Sequence, residues 1–179
     1  MTQFMAVFLS SLFLCSNAFA GSVSSDAISA ALNERMQIMK AVAGYKARHH
    51  LPVEDLPREQ VVLDKMLSNA QQTGLEPQSV APFIHALMNA GKAIQYRYLA
   101  DWLSTPENAR APADLAETRQ QIERLDRELL NAISQRLKAG PLTEPDRRGL
   151  MAALAAPHLS EADKTSLVTS LSRIRRKTE

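Results

Sequence analysis

The sequence predicts an all-α protein. Apolar residues recur at spacings of three, four and seven along four long stretches, no segment alternates with period two over strand length, and prolines or glycines stand where the stretches end. With 179 residues the chain is long enough for one packed domain with a sizeable core.

Each element follows from local chemistry. Ser25 or Asp26 is placed to cap a first helix carrying Ile28, Leu32, Met36, Met39 and Val42 and running to about His50, where LPVEDLP breaks it. A second helix starts at Pro57, a favoured first-turn position, and ends at Gly74, placed as the left-handed residue beyond a helix end. A third starts near Pro77, takes Pro82 in its opening turns, and carries Phe83, Ile84, Leu87, Met88, Ile94, Tyr98, Leu99 and Trp102. STPENARAPA, with two prolines, is a linker. Asp114 and Glu117 have the spacing of a capping box for a fourth long helix, which carries Leu115, Ile122, Leu125, Leu129, Ile133 and Leu137 and stops at Gly140. Thr143 to Asp146 and Ser160 to Asp163 open two shorter helices by the same cap chemistry. The expectation is a bundle of about six helices: a three-helix core over residues 21–104, and a C-terminal extension of the same domain over 105–179.

The first twenty residues hold no charged side chain, run through an apolar stretch from Phe4 to Cys15, and end in Ala18-Phe19-Ala20 before Gly21. That pattern reads as a secretory signal cut after Ala20, which makes the mature protein periplasmic or secreted. Cys15, the sole cysteine, would leave with the signal, so neither a disulfide nor a thiol nucleophile is expected. No later stretch is apolar and long enough to span a membrane, and no membrane association is expected after cleavage. Basic and acidic residues number 21 and 19, which gives no reason to expect nucleic acid. The one dense basic run, Arg173, Arg175, Arg176 and Lys177, reads as a solvated helix end favoured by the macrodipole. His49, His50, His85 and His158 lack metal-ligand spacing, and there is no phosphate-binding loop or nucleophile elbow.

Polar residues in core-like phases are the informative ones. Arg35 and Lys46 are eleven residues apart, a separation that leaves them about 20° apart around a helix. Met39 and Val42 lie between them on the same stripe, so two cations point from a face that otherwise reads as core. Unpartnered buried cations are costly, so this face calls for an anion. Gln95, seven after Met88 and seven before Trp102, falls on the buried side of the third helix, where it could also satisfy a backbone group. Arg119 joins the apolar stripe of the fourth helix, or snorkels from it. Arg58 stands in the first turn of the second helix, where the dipole disfavours a cation unless Asp55 pairs with it. Together, three arginines, a lysine and an amide directed into one helical core suggest a pocket for a small dianion.

The pattern R-x10-K, followed by E-D-x-x-R-E at the head of the next helix and a glutamine in the third, resembles the all-helical chorismate mutases. PVEDLPRE after YKARHHL, AIQYRYLADW, the proline-rich linker, DLAETR and the signal segment are similar to their secreted gamma subclass. The motifs span roughly residues 28 to 139. The resemblance implies a Claisen rearrangement of chorismate to prephenate. That reaction is unimolecular and pericyclic, so no nucleophile, metal or cofactor is implied. What it needs is preorganised donors for two carboxylates and for the ether oxygen on which charge grows.

By position, the resemblance makes Arg35 and Arg119 carboxylate clamps, for which guanidinium forks are suited. Lys46 bridges a carboxylate and the ether oxygen, and Gln95 donates to that oxygen from the other side. Asp55, Arg58 and Glu59 line the side facing the ring hydroxyl and hold the other cations. Relatives have Gln or Glu where Gln95 stands, and Gln95 needs no proton to donate. Relatives also place Ser or Thr one turn before it, where this chain has Gly91, so a polar contact there is missing or replaced by water. In the secreted subclass Arg119 resembles the residue that replaces a partner subunit's arginine, which implies a homodimer with a complete site in each chain. Two rivals are an isochorismate pyruvate lyase on the same scaffold, which usually lacks the long second half, and a non-catalytic periplasmic helical interaction protein.

Overall fold

The computed structural model describes residues 17–105 and 112–178, with side chains from Ser25 onward. The first sixteen residues of the expected signal, Cys15 included, and the middle of the linker lie outside the described residues. The described chain is helical: α1 (Asn17–Gln37), α2 (Met39–Arg48), α3 (Leu56–Gln72), α4 (Pro77–Ser104), α5 (Ala116–Leu137), α6 (Glu144–Ala153) and α7 (Glu161–Leu171). One isolated antiparallel bridge, Leu75 to Arg176, is the extended pairing among the described residues. No described helix is long and apolar enough to cross a membrane.

The first expected helix differs at both its start and its middle. It begins at Asn17, so the expected cut after Ala20 lies inside it and Ser25 and Asp26 are interior rather than caps. Ser25 Oγ is engaged elsewhere, donating to Asp146 Oδ1 of α6 at 3.5 Å. At Ile38 the helix tightens, with Ala41 N and Val42 N both donating to the Ile38 carbonyl at 3.0 and 3.3 Å, and this divides α1 from α2. Ile38 keeps helical dihedrals, so the buried face continues through the break.

Asp55 caps α3, its carboxylate accepting from Arg58 N at 3.1 Å, and Pro57 stands in the first turn as expected. Gly74 ends α3 at φ +77° and Gly140 follows α5 at φ +107°, both in the left-handed region that glycine enters at little cost. The capping box expected at Asp114 and Glu117 is not formed. Asp114 instead accepts from Ala116 N at 2.6 Å, a local turn that starts α5 with Leu115 buried at its N-cap. Thr143 with Asp146 and Ser160 with Asp163 do form full capping boxes at α6 and α7.

The basic C-terminal run is also not a helix end. α7 stops at Leu171, and the chain then folds back beside the α3–α4 corner. Glu76 N donates to Arg175 O and Lys177 N to Gly74 O, each at 2.9 Å. Arg176 Nη1 reaches Ser134 O at 3.1 Å and Ser134 Oγ at 2.9 Å, while Arg175 pairs with Glu76. The carbonyls left by the helix ends and the acid at Glu76 attract these side chains more specifically than a terminal dipole would.

α4 is central, with α2, α3 and α7 packed on it, while α1 packs along α5 and α6. Ile28, Leu32 and Met36 of α1, Phe83, Ile84 and Leu87 of α4, and Leu129 and Leu130 of α5 are fully buried in one cluster. Burying such side chains is worth about 1.5–3 kcal/mol apiece before chain entropy is counted, so the clamp of α5 onto α1 and α3 is well supported. This packing brings α1 to α5 around one cleft.

Candidate active site

The cleft is about 120 Å³ and lies where α1 and α2, the head of α3, the middle of α4 and the start of α5 converge. Met39, Val42, Val53, Val62, Met88, Leu115 and Ile122 form apolar walls. All eight residues singled out from the sequence, Arg35, Lys46, Asp55, Arg58, Glu59, Gly91, Gln95 and Arg119, line it as well. Three are deeply buried: Arg35 is 4% exposed, Lys46 9% and Gln95 5%.

Each cation is held differently. Arg35 Nε donates to Asp126 Oδ1 of α5 at 2.6 Å. Lys46 Nζ donates to the Val53 carbonyl at 2.6 Å. Arg58 does not pair through its side chain with Asp55; its Nη2 donates to Glu123 Oε1 at 3.3 Å, and Lys65 shares that carboxylate at 2.8 Å. Arg119 is exposed rather than part of the buried stripe, because α5 presents its first turn at the rim of the cleft. Its guanidinium forms no ion pair among the described residues.

Burial lowers the pKa of Lys46 below the ordinary lysine value, and Arg119 nearby adds to this, while Asp55, Glu59 and Glu54 pull the other way. A dianion entering the cleft would meet a buried ammonium and an unpaired guanidinium, both of which gain by its arrival.

Among the described residues, two buried side-chain acceptors are unsatisfied: Gln95 Oε1 and Glu59 Oε1. Gln95 Nε2 donates to the Gly91 carbonyl at 3.2 Å and lies 3.7 Å from Met39 Sδ. Glu59 uses its other oxygen for Lys92 at 2.9 Å. Orphaned buried acceptors cost about 1–3 kcal/mol each, and a ligand hydroxyl or a reoriented amide would relieve them. At Gly91 neighbouring side chains approach the position a side chain would occupy. A Cβ there would stand 3.2 Å from Met39 Sδ and 3.9 Å from Arg35 Nη1, so the absent side chain makes room for those two groups.

Sequence reasoning missed Lys92, Glu123 and Asp126. Glu123 and Asp126 follow Arg119 by four and seven residues, which places all three on one face of α5. The chemistry this cleft offers is recognition: cationic and amide donors fixed around a space with apolar walls.

Residues 25–96 match the family model described as chorismate mutase type II. A monofunctional chorismate mutase of Enterobacter agglomerans is 69% identical to this chain, over 98% of this chain and 99% of that protein. A secreted chorismate mutase of Yersinia pestis is 37% identical over 82% of this chain and 79% of its own length. The crystal structure of the secreted chorismate mutase from Yersinia pestis superposes with a TM-score of 0.77 at 35% identity, covering 84% of this chain and 97% of that one.

Proposed function

The chain belongs to the type II chorismate mutase family and is an isomerase of that class, and from this we propose that it converts chorismate to prephenate in the cleft described above, by electrostatic preorganisation and without a cofactor. The observation that carries the reading is the convergence of Arg35, Lys46, Gln95 and Arg119 on one apolar-walled cleft. Arg35 and Arg119 take the two carboxylates. Lys46 spans a carboxylate and the ether oxygen, and Gln95 turns its amide so that Nε2 donates to the same oxygen. Asp55, Arg58 and Glu59 hold the side of the ring hydroxyl, where the unsatisfied Glu59 Oε1 is ready to accept it. Binding in the compact conformer that the rearrangement requires supplies the orientation part of the rate.

The protein acts outside the cytoplasm after removal of residues 1–20, a reading supported by the names of its secreted relatives. Each chain owns a complete site, since α5 of the same chain brings Arg119 to the cleft, and the homodimer is what the family resemblance implies.

The test is the loss of chorismate absorbance with purified protein, beside Arg35→Ala and Lys46→Ala, with the product identified by chromatography. Prephenate formation that drops about 10²-fold or more in both variants, with helical circular dichroism intact, is expected. Absence of prephenate from the unmodified protein would refute the reading, and salicylate with pyruvate from isochorismate would replace it by the lyase.

A further inference from the structure

Asp126 does not line the cleft, yet it touches one of the cleft's principal cations. It is 3% exposed on α5 and accepts from Arg35 Nε through a single hydrogen bond of 2.6 Å. An arginine and a carboxylate usually meet fork to fork, through two parallel bonds. In this pair the carboxylate takes the Nε edge, and both terminal nitrogens are left over. Nη1 stands on the cleft side, 3.9 Å from where a Cβ on Gly91 would lie. A fork-to-fork pair would satisfy Asp126 equally well but would withdraw the fork from the cleft.

We propose that Asp126 is a positioning residue: it holds Arg35 by Nε so that the guanidinium fork faces the cleft. The proposal rests on the reading of Arg35 as a carboxylate clamp. It also gives α5 a second task besides delivering Arg119, and it explains why a carboxylate stays buried at a helix interface, where an uncompensated charge would be strongly destabilising.

Asp126→Ala should lower kcat/KM on chorismate by about 10²-fold, the scale of a misplaced binding group. In an Arg35→Ala background the same change should cost less than about threefold, because a residue that acts through Arg35 has nothing left to position. Asp126→Asn keeps the size and one acceptor oxygen, serves if the alanine variant folds poorly, and should fall between the two. An arm that does not need turnover is nitrogen-15 NMR of the Arg35 Nε–H, whose proton should be protected from exchange in the unmodified protein, lose that protection in Asp126→Ala and keep part of it in Asp126→Asn. Equal losses in both backgrounds, a kcat/KM within about threefold of the unmodified protein, or unchanged Nε–H exchange would overturn the proposal. If the unmodified protein does not convert chorismate, the functional reading fails by itself, and the exchange measurement still decides whether Asp126 holds Arg35.

Discussion

Lys46 Nζ donates to the Val53 carbonyl at 2.6 Å, so the break between α2 and α3 ties down an ammonium seven residues upstream. The bond uses one of three N–H donors and leaves two for a ligand. The loop that ends α2 is thereby part of the site, and its conformation and the charge of Lys46 depend on each other.

Because burial, helped by Arg119, lowers the pKa of Lys46, its proton is lost at a lower pH than from an ordinary lysine. The reaction needs that proton, so kcat/KM should fall as pH rises through a value below 10.5. A bound dianion favours the ammonium, so the alkaline fall of kcat should come at higher pH than that of kcat/KM. Steady-state profiles from about pH 6 upward check both. A kcat/KM flat beyond the ordinary lysine range would rule out the Lys46 ammonium as a donor to the ether oxygen.

Gln95 donates without needing to be protonated, so the unmodified protein should lose little activity between about pH 6 and 8. Gln95→Glu changes this, since a carboxylate cannot donate to the ether oxygen. Its kcat/KM should drop by about 10²-fold near pH 7.5 and recover towards pH 5 as the carboxyl protonates, matching the worth of one oxyanion-type donor. Equal activity of that variant at both pH values would contradict the contact.

Arg119 lies at the rim, exposed, on the same chain as the rest of the lining. Its removal should act mainly on KM, by roughly tenfold at low salt and less as salt screens the exposed charge. Mixing Arg35→Ala with Arg119→Ala, assayed well below KM, should give no more than the sum of the two separate activities if each chain holds a whole site. Activity in the mixture well above that sum would mean that the site is shared between chains.

Arg35, Lys46 and Gln95 were legible in the sequence because helical phase alone places them on a buried face, and their burial follows from local periodicity. Gly74, Gly140, Thr143 and Ser160 were legible for a similar reason, since turn and cap chemistry is local. Asp126 and Glu123 were not. Their pairing with Arg35 and Arg58 spans 91 and 65 positions and depends on how α5 is rotated against α1 and α3, which no short-range pattern encodes. The exposure of Arg119 and the return of the C-terminal segment to Gly74 and Ser134 depend on the same long-range packing. The tightening at Ile38 leaves the buried face uninterrupted and so has no signature in the apolar period.

Away from the cleft, Asp146 joins α6 to α5 through Arg136, which is 6% exposed and also donates to the Gly140 carbonyl at 3.1 Å. Burial works against ionisation of Asp146, but hydrogen bonds from Arg136 and Thr143 outweigh it and hold the carboxyl at about 2, below its ordinary 3.8. A carboxyl depressed by folding stabilises fully above the unfolded value and loses that contribution as pH falls from 3.8 towards 2. The shift corresponds to roughly 2 kcal/mol. Asp146→Asn should therefore lower the urea midpoint at neutral pH by an amount equivalent to about 2–3 kcal/mol, since it also leaves Arg136 buried without a counter-charge. The gap between the two proteins should narrow as the pH is taken from 4 to 2, while kcat/KM at neutral pH stays unchanged because Asp146 is not part of the cleft. A gap that stays constant over that pH range would show that shape, and not the charge of Asp146, holds α6 against α5.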